Sequence, residues 1–112
     1  MKSNKLIANY MGIKSYEASG YTNFVYSEDN HRTEVDLSYH DSWDWLMPVV
    51  EKIEEQHGCD FTASRRRATR TYDANFMDEV NNYVVYVEGC KDRKEATYKA
   101  VVEFINQYNK IK

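Results

Sequence analysis

The only proline of the chain sits inside its clearest helix, and this pairing constrains the middle of the fold more than any other feature. Residues 39–57 read YHDSWDWLMPVVEKIEEQH. Leu46, Val49, Val50 and Ile53 recur at i, i+3, i+4 and i+7, which places them on one helical face, while Glu51, Lys52, Glu54 and Glu55 fill the other. Asp41 or Ser42 can cap the start, Asp44 suits the positive end of the helix dipole, and Gly58 ends the run. A proline deep in a helix removes a backbone donor and clashes with the preceding turn, at a cost of roughly 3 kcal/mol. The spacing therefore predicts a tight or kinked start over residues 42–47, with regular helix after it. That start carries Trp43 and Trp45 on opposite sides. One is expected as a core anchor, since an indole buries much apolar area, and the other as a surface contact.

The 112 residues suit a single domain, 1–112, with one core. A net charge of -3 and a pI near 5.6 argue against a general nucleic-acid binder, which shows a basic footprint. No apolar run approaches the length of a membrane span, so no membrane partner is expected. The start, MKSNKLIANYMG, lacks the apolar core and small-residue cleavage site of a secretory signal, so a cytoplasmic location is expected. Ten tyrosines can serve a core, but rigid amphipathic rings are also favoured at interfaces and ligand pockets.

Residues 4–11 read as a short helix with Leu6, Ile7, Tyr10 and Met11 on one side, Ser3 as its cap and Gly12 as its end. Residues 13–32 are polar and read as a long loop, apart from a short edge strand around Tyr21, Phe24, Val25 and Tyr26. Residues 33–39 alternate, with Val35, Leu37 and Tyr39 against Glu34, Asp36 and Ser38, as in a half-buried strand. Residues 59–72 read as the next strand, 73–79 as a loop, and 80–88 as a strand apolar on both faces, hence central or covered twice. Residues 92–108 form the last helix, opened by a capping box with Asp92 as the cap and Glu95 three residues on. Its apolar stripe of Ala100, Val101, Phe104 and Tyr108 is widened by Tyr98, Val102 and Ile105. So wide a stripe, with so many tyrosines, predicts a homo-oligomer. The fold class that follows is α+β: a small, mostly antiparallel sheet of three or four strands with helices packed on it.

No cofactor is implied. His31, His40 and His57 are scattered, and no nucleophile elbow, metalloprotease helix or phosphate-cradling glycine loop is present. His40 beside Asp41 is the one acid–base candidate, and adjacent residues of this kind suit a polar junction equally well. Cys59 and Cys90 read as reduced thiols, as a disulfide across a hairpin centred near Ala74, or as part of a metal site with His57; no C-x-x-C spacing favours the metal.

Several segments resemble a known family. These are residues 6–12, LIANYMG; Tyr39-His40 with residues 42–53, SWDWLMPVVEKI; and Glu95-Ala96 with residues 98–105, YKAVVEFI. Together they are similar to small phage and prophage proteins carrying the phage ABA sandwich domain. The resemblance covers both ends and the middle, leaves 14–32 and 63–79 unmatched, and has its specific part in the Trp43–Trp45 pair. It implies a helix–sheet–helix sandwich, a phage or prophage origin and hence a bacterial host cytoplasm. It brings no catalytic motif, so no functional residue carries over.

Arg65, Arg66, Arg67 and Arg70 put four guanidinium groups in six residues of an acidic chain. Such groups grip phosphate and carboxylate bidentately and stack on aromatic planes. On a strand, Arg65 and Arg67 would face one way, and Arg66 and Arg70 the other. One reading is a solvated strand edge neutralised by Asp60, Asp73, Asp78 and Glu79. The sharper reading is an anion or nucleotide site, with Trp45, Tyr39 and His40 beside it and a ring stacking on a base. The function expected is therefore a non-catalytic accessory binding protein that sequesters an anionic, nucleotide-like ligand as an oligomer. The alternatives are a module that binds a host or phage protein, and a small enzyme.

Overall fold

The helix expected around Pro48 forms as α2, Trp43–His57, and it runs unbroken through the proline. Its buried stripe is Leu46, Val49, Val50 and Ile53, as the spacing predicts. Ser42 holds the N-cap position in extended backbone without a side-chain cap, and Gly58 ends the helix at a left-handed φ of 61°. The start is anchored instead by a turn, with the Ser42 amide donating to Ser38 O at 3.0 Å. Trp45 packs into the core, edge-on to Tyr39, while Trp43 is exposed.

This computed structural model describes residues 2–18, 21–27, 30–33, 37–80 and 82–111. Before α2 come α1, Lys2–Tyr10, and the strands β1, Lys14–Ala18, β2, Tyr21–Ser27, and β3, Asn30–Thr33. After it come β4, Asp60–Arg66, β5, Thr71–Met77, β6, Tyr83–Cys90, and the long helix α3, Arg93–Ile111. The class is α+β, with two antiparallel sheets, each a simple meander: β1-β2-β3 and β4-β5-β6.

The polar stretch expected as a loop around one short edge strand is thus the first sheet, with β2 at the expected strand but central rather than at the edge, because neighbouring segments pair locally without needing two apolar faces. Of the alternating stretch 33–39, Thr33 belongs to β3, residues 34–36 lie outside the described residues, and Leu37 onward is turn rather than strand. Leu37 and Tyr39 are nonetheless both buried.

The second sheet corrects the sequence reading most. Residues 73–79, expected as a loop, mostly form its central strand, and the strand expected to be central, β6, lies at its edge. The hairpin turns at residues 67–70, not near Ala74, and places Phe61 opposite Phe76 and Arg66 opposite Thr71. The cysteines therefore sit at opposite ends: Cys59 precedes Asp60, which pairs with Met77, while Cys90 pairs with Tyr72. Five residues of extended strand separate those ends by about 17 Å, far beyond the roughly 7 Å that a disulfide spans between Cα atoms. Both thiols are free and buried, and burial pushes both upward in pKa, away from reactive thiolate.

One core joins the helices to the second sheet. α3 lies over β5 and β6 alike, α2 over β4, and α1 rests on α3. Phe76 of β5 meets Phe61 and Phe104, and Phe24 and Ile7 bring the first sheet and α1 into the same cluster. The opposite face of the second sheet exposes Thr62, Ser64, Arg66, Tyr86 and Glu88 and carries no helix among the described residues. Among the described residues, the helices at the second sheet lie on one side of it.

Candidate functional site: a basic end of the second sheet

Arg66 is the arginine that the β4–β5 hairpin uses internally. It lies on the open face, where its Nε donates to Asp73 Oδ2 at 2.6 Å. Its Nη2 donates to Tyr86 OH at 2.8 Å and to Glu88 Oε2 at 3.1 Å. Tyr86 OH donates to the same Asp73 oxygen at 3.2 Å, and the Gly89 amide donates to the other at 3.3 Å. The Arg66 guanidinium holds the Asp73 carboxyl below the usual carboxylate range, with the Gly89 amide and Tyr86 hydroxyl adding to it against the opposing effect of desolvation. A carboxyl depressed in the folded state stabilises the fold above its unfolded pKa, about 3.9, and loses that contribution as pH falls through the folded value. Thermal melts between pH 7 and pH 3 should therefore show a steeper loss below about pH 4 in the native protein than in Asp73→Asn, which has no carboxyl there to titrate.

The other three arginines have no such lock. Arg65 is the last-but-one residue of β4, opposite Tyr72, and Arg67 and Arg70 lie in the turn. All three are exposed, and none has a carboxylate partner among the described residues. Arg70 takes a left-handed φ of 57°, which turns the chain without a glycine. Because Tyr72 also pairs with Cys90, the hairpin tip meets the start of α3. Lys91, Arg93 and Lys94 enter there, with Arg93 lying over the Tyr72 ring at 5.8 Å. Asp92 caps α3, accepting from the Glu95 amide at 2.7 Å. One end of the sheet thus gathers Arg65, Arg67, Arg70, Lys91, Arg93 and Lys94 on a chain whose net charge is -3.

Arg93 and Lys91 were not singled out from the sequence, although a signal existed. Cations at the first turn of a helix oppose its dipole, so three of them around the cap of α3 is a placement that helix stability does not favour.

Tyr39 and His40 serve the scaffold. Tyr39 is buried at 3 % exposure, which leaves no face for a ligand. His40 belongs to a polar clamp around the fully buried Asn4. The Asn4 amide donates to Leu37 O at 3.0 Å and to His40 Nδ1 at 2.8 Å, and Tyr98 OH donates to Asn4 Oδ1 at 2.9 Å. The carbonyl of Leu37 can only accept, which fixes the orientation of the amide, so Nδ1 of His40 accepts too. The other ring nitrogen lies 3.7 Å from Asp41. Beside this clamp, Lys94 donates to Asp41 O at 2.9 Å, tying the start of α2 to the start of α3.

Between the outer flank of α3 and the free edge of β6 runs an open groove of about 1050 Å³. Val84, Val87 and Val102 give it an apolar floor, with Tyr98, Lys99 and Glu103 along its wall. Among the described residues, no three His, Cys, Asp or Glu side chains converge as metal ligands would, and no helix is long and apolar enough to cross a membrane.

The fold and this end of the molecule define an α+β protein of two three-stranded meanders with a cationic tip. No family model, no curated protein and no solved structure matches the chain.

Proposed function

We propose that the chain is a non-catalytic binding protein that takes a phosphate-bearing, nucleotide-like anion at the end of the second sheet, where Arg65, Arg67, Arg70 and Arg93 come together. The observation that carries this reading is the concentration of guanidinium groups without carboxylate partners at one end of an acidic chain. Exposed like charges repel, and a fold that keeps them adjacent gains from a polyanion that bridges them. Guanidinium forks match phosphate oxygens two at a time, and the positive end steers such a ligand in against the negative remainder of the surface. Arg66 takes no part, since its Nε and Nη2 are committed to Asp73, Tyr86 and Glu88. Trp45, Tyr39 and His40 support the fold behind the site. Joined to the resemblance to small phage proteins, the proposal extends to an accessory role in which a nucleotide signal of the host is sequestered.

The test is a melting series at low salt with pyrophosphate, a nucleoside triphosphate and the uncharged nucleoside. A ligand that binds only the folded state at about 100 times its Kd adds about 2.7 kcal/mol of stability. The expected result is a clear rise in Tm with both phosphates, lost at high salt, and none with the nucleoside alone. No shift with any phosphate at low salt overturns the proposal.

A further inference from the structure

We propose that the groove between α3 and β6 receives a second copy of the same chain. The two β6 strands would pair antiparallel about a two-fold axis, joining two three-stranded sheets into one of six.

β6 offers an open edge of eight residues, YVVYVEGC, rich in β-branched and aromatic side chains. Edges that must stay single are blunted with lysine, proline, inward charges or bulges, and of these β6 carries only bulges in its pairing with β5. β6 has no lysine and no proline, and its one charged side chain, Glu88, is held by Arg66 on the open face. A bulge between Phe76 and Met77 brings Tyr83 and Tyr86 together, with ring centroids 5.1 Å apart, and leaves Val84 to the groove.

Geometry fits the same occupant. α3 lies over β5 and β6 together. With strands about 4.8 Å apart, pairing β6 with β6 would bring two α3 helices roughly 10 Å apart, the normal distance for packed helices. The groove is the space that the second helix would fill.

The charges select the orientation. Glu95, Lys99, Glu103 and Gln107 line the groove at intervals of four residues, forming one ridge of α3. Head-to-tail about a two-fold axis between Lys99 and Glu103, this ridge complements itself: Lys99 faces Glu103 of the second copy, and Glu95 faces Gln107 of the second copy. Glu95 has a reason to take a donor there. Its Oε1 holds Lys99 at 3.1 Å, while its Oε2 is buried without a hydrogen-bond partner. A parallel pairing would set lysine on lysine and glutamate on glutamate. The inference does not use Arg65, Arg67, Arg70 or Arg93, and the two-fold arrangement leaves those arginines at opposite corners of the joined sheet, although Lys91 and Lys94 line the groove.

Sedimentation equilibrium without added ligand tests it. The native chain should show twice its 13.3 kDa mass at micromolar concentration. Lys99→Glu should weaken association at least tenfold, with an unchanged circular-dichroism spectrum, and adding Glu103→Lys should restore it. A native chain that stays monomeric at high micromolar concentration overturns the proposal. So does a dimer indifferent to Lys99→Glu, or a charge swap that fails to restore it.

Discussion

Phe76→Ala is expected to cost about 3–5 kcal/mol, a large share of the roughly 5–15 kcal/mol that holds a domain of this size folded. The ring is fully buried near the end of β5. It touches Phe61 across the strand pair, with centroids 5.0 Å apart, and Phe104 of α3, at 5.4 Å. Truncation removes a side chain that joins sheet to helix. Neither neighbour can collapse into the space, since each is fixed by its own backbone element, so the lost transfer energy and the cavity term add. Phe76→Leu, which keeps most of the volume, should lose clearly less. Denaturant titrations of the three proteins give the comparison directly, and equal losses for alanine and leucine would show that Phe76 is not the keystone of this core.

The second large effect concerns the basic tip. Arg65→Glu with Arg93→Glu should weaken binding of pyrophosphate by roughly 100-fold or more, since each hydrogen bond to a charged group contributes about 1.5–3 kcal/mol and two are reversed at once. Both side chains are exposed and neither holds a carboxylate, so the melting temperature without ligand should move little. Arg66→Gln should do the reverse, lowering stability by breaking the Asp73–Tyr86–Glu88 network while leaving the folded protein able to bind. Titration calorimetry at fixed low salt separates the two patterns. Binding indifferent to the Arg65 and Arg93 changes would remove the tip as the site.

The helices were legible because their signals are local. Four apolar residues at helical spacing and Gly58 mark α2, and Asp92 with its following turn marks the start of α3. β5 was not legible. Asp73 and Asn75 read as loop residues; Asp73 is tolerated in a central strand because Arg66, Tyr86 and the Gly89 amide satisfy its buried carboxylate, whereas Asn75 is buried on the same face with its Oδ1 unpartnered among the described residues. The partners of Asp73 are visible only once the hairpin register is known. The register depends in turn on a turn without glycine, proline or asparagine, closed by Arg70 in a left-handed conformation that its residue type does not announce. The arginine run could be read as a local cluster, but its division into one structural and three free guanidinium groups, and the arrival of Arg93, follow from pairing across strands. The thiols were open to a bridge for the same reason: with the turn placed near Ala74 they meet, and with the turn at 67–70 they separate.

The clamp around Asn4 has a consequence for how the molecule is made. Its hydroxyl donor, Tyr98, lies 94 residues further along the chain, so α1 leaves the ribosome well before α3 and gains that contact only when α3 follows. Until α3 emerges, the Asn4 side-chain carbonyl stays solvated, and the clamp has only Leu37 and His40 to hold α1. Docking of α1 is thus a report that synthesis has passed α3, and a nascent chain stalled earlier would leave Ile7 and Ala8 open to chaperones.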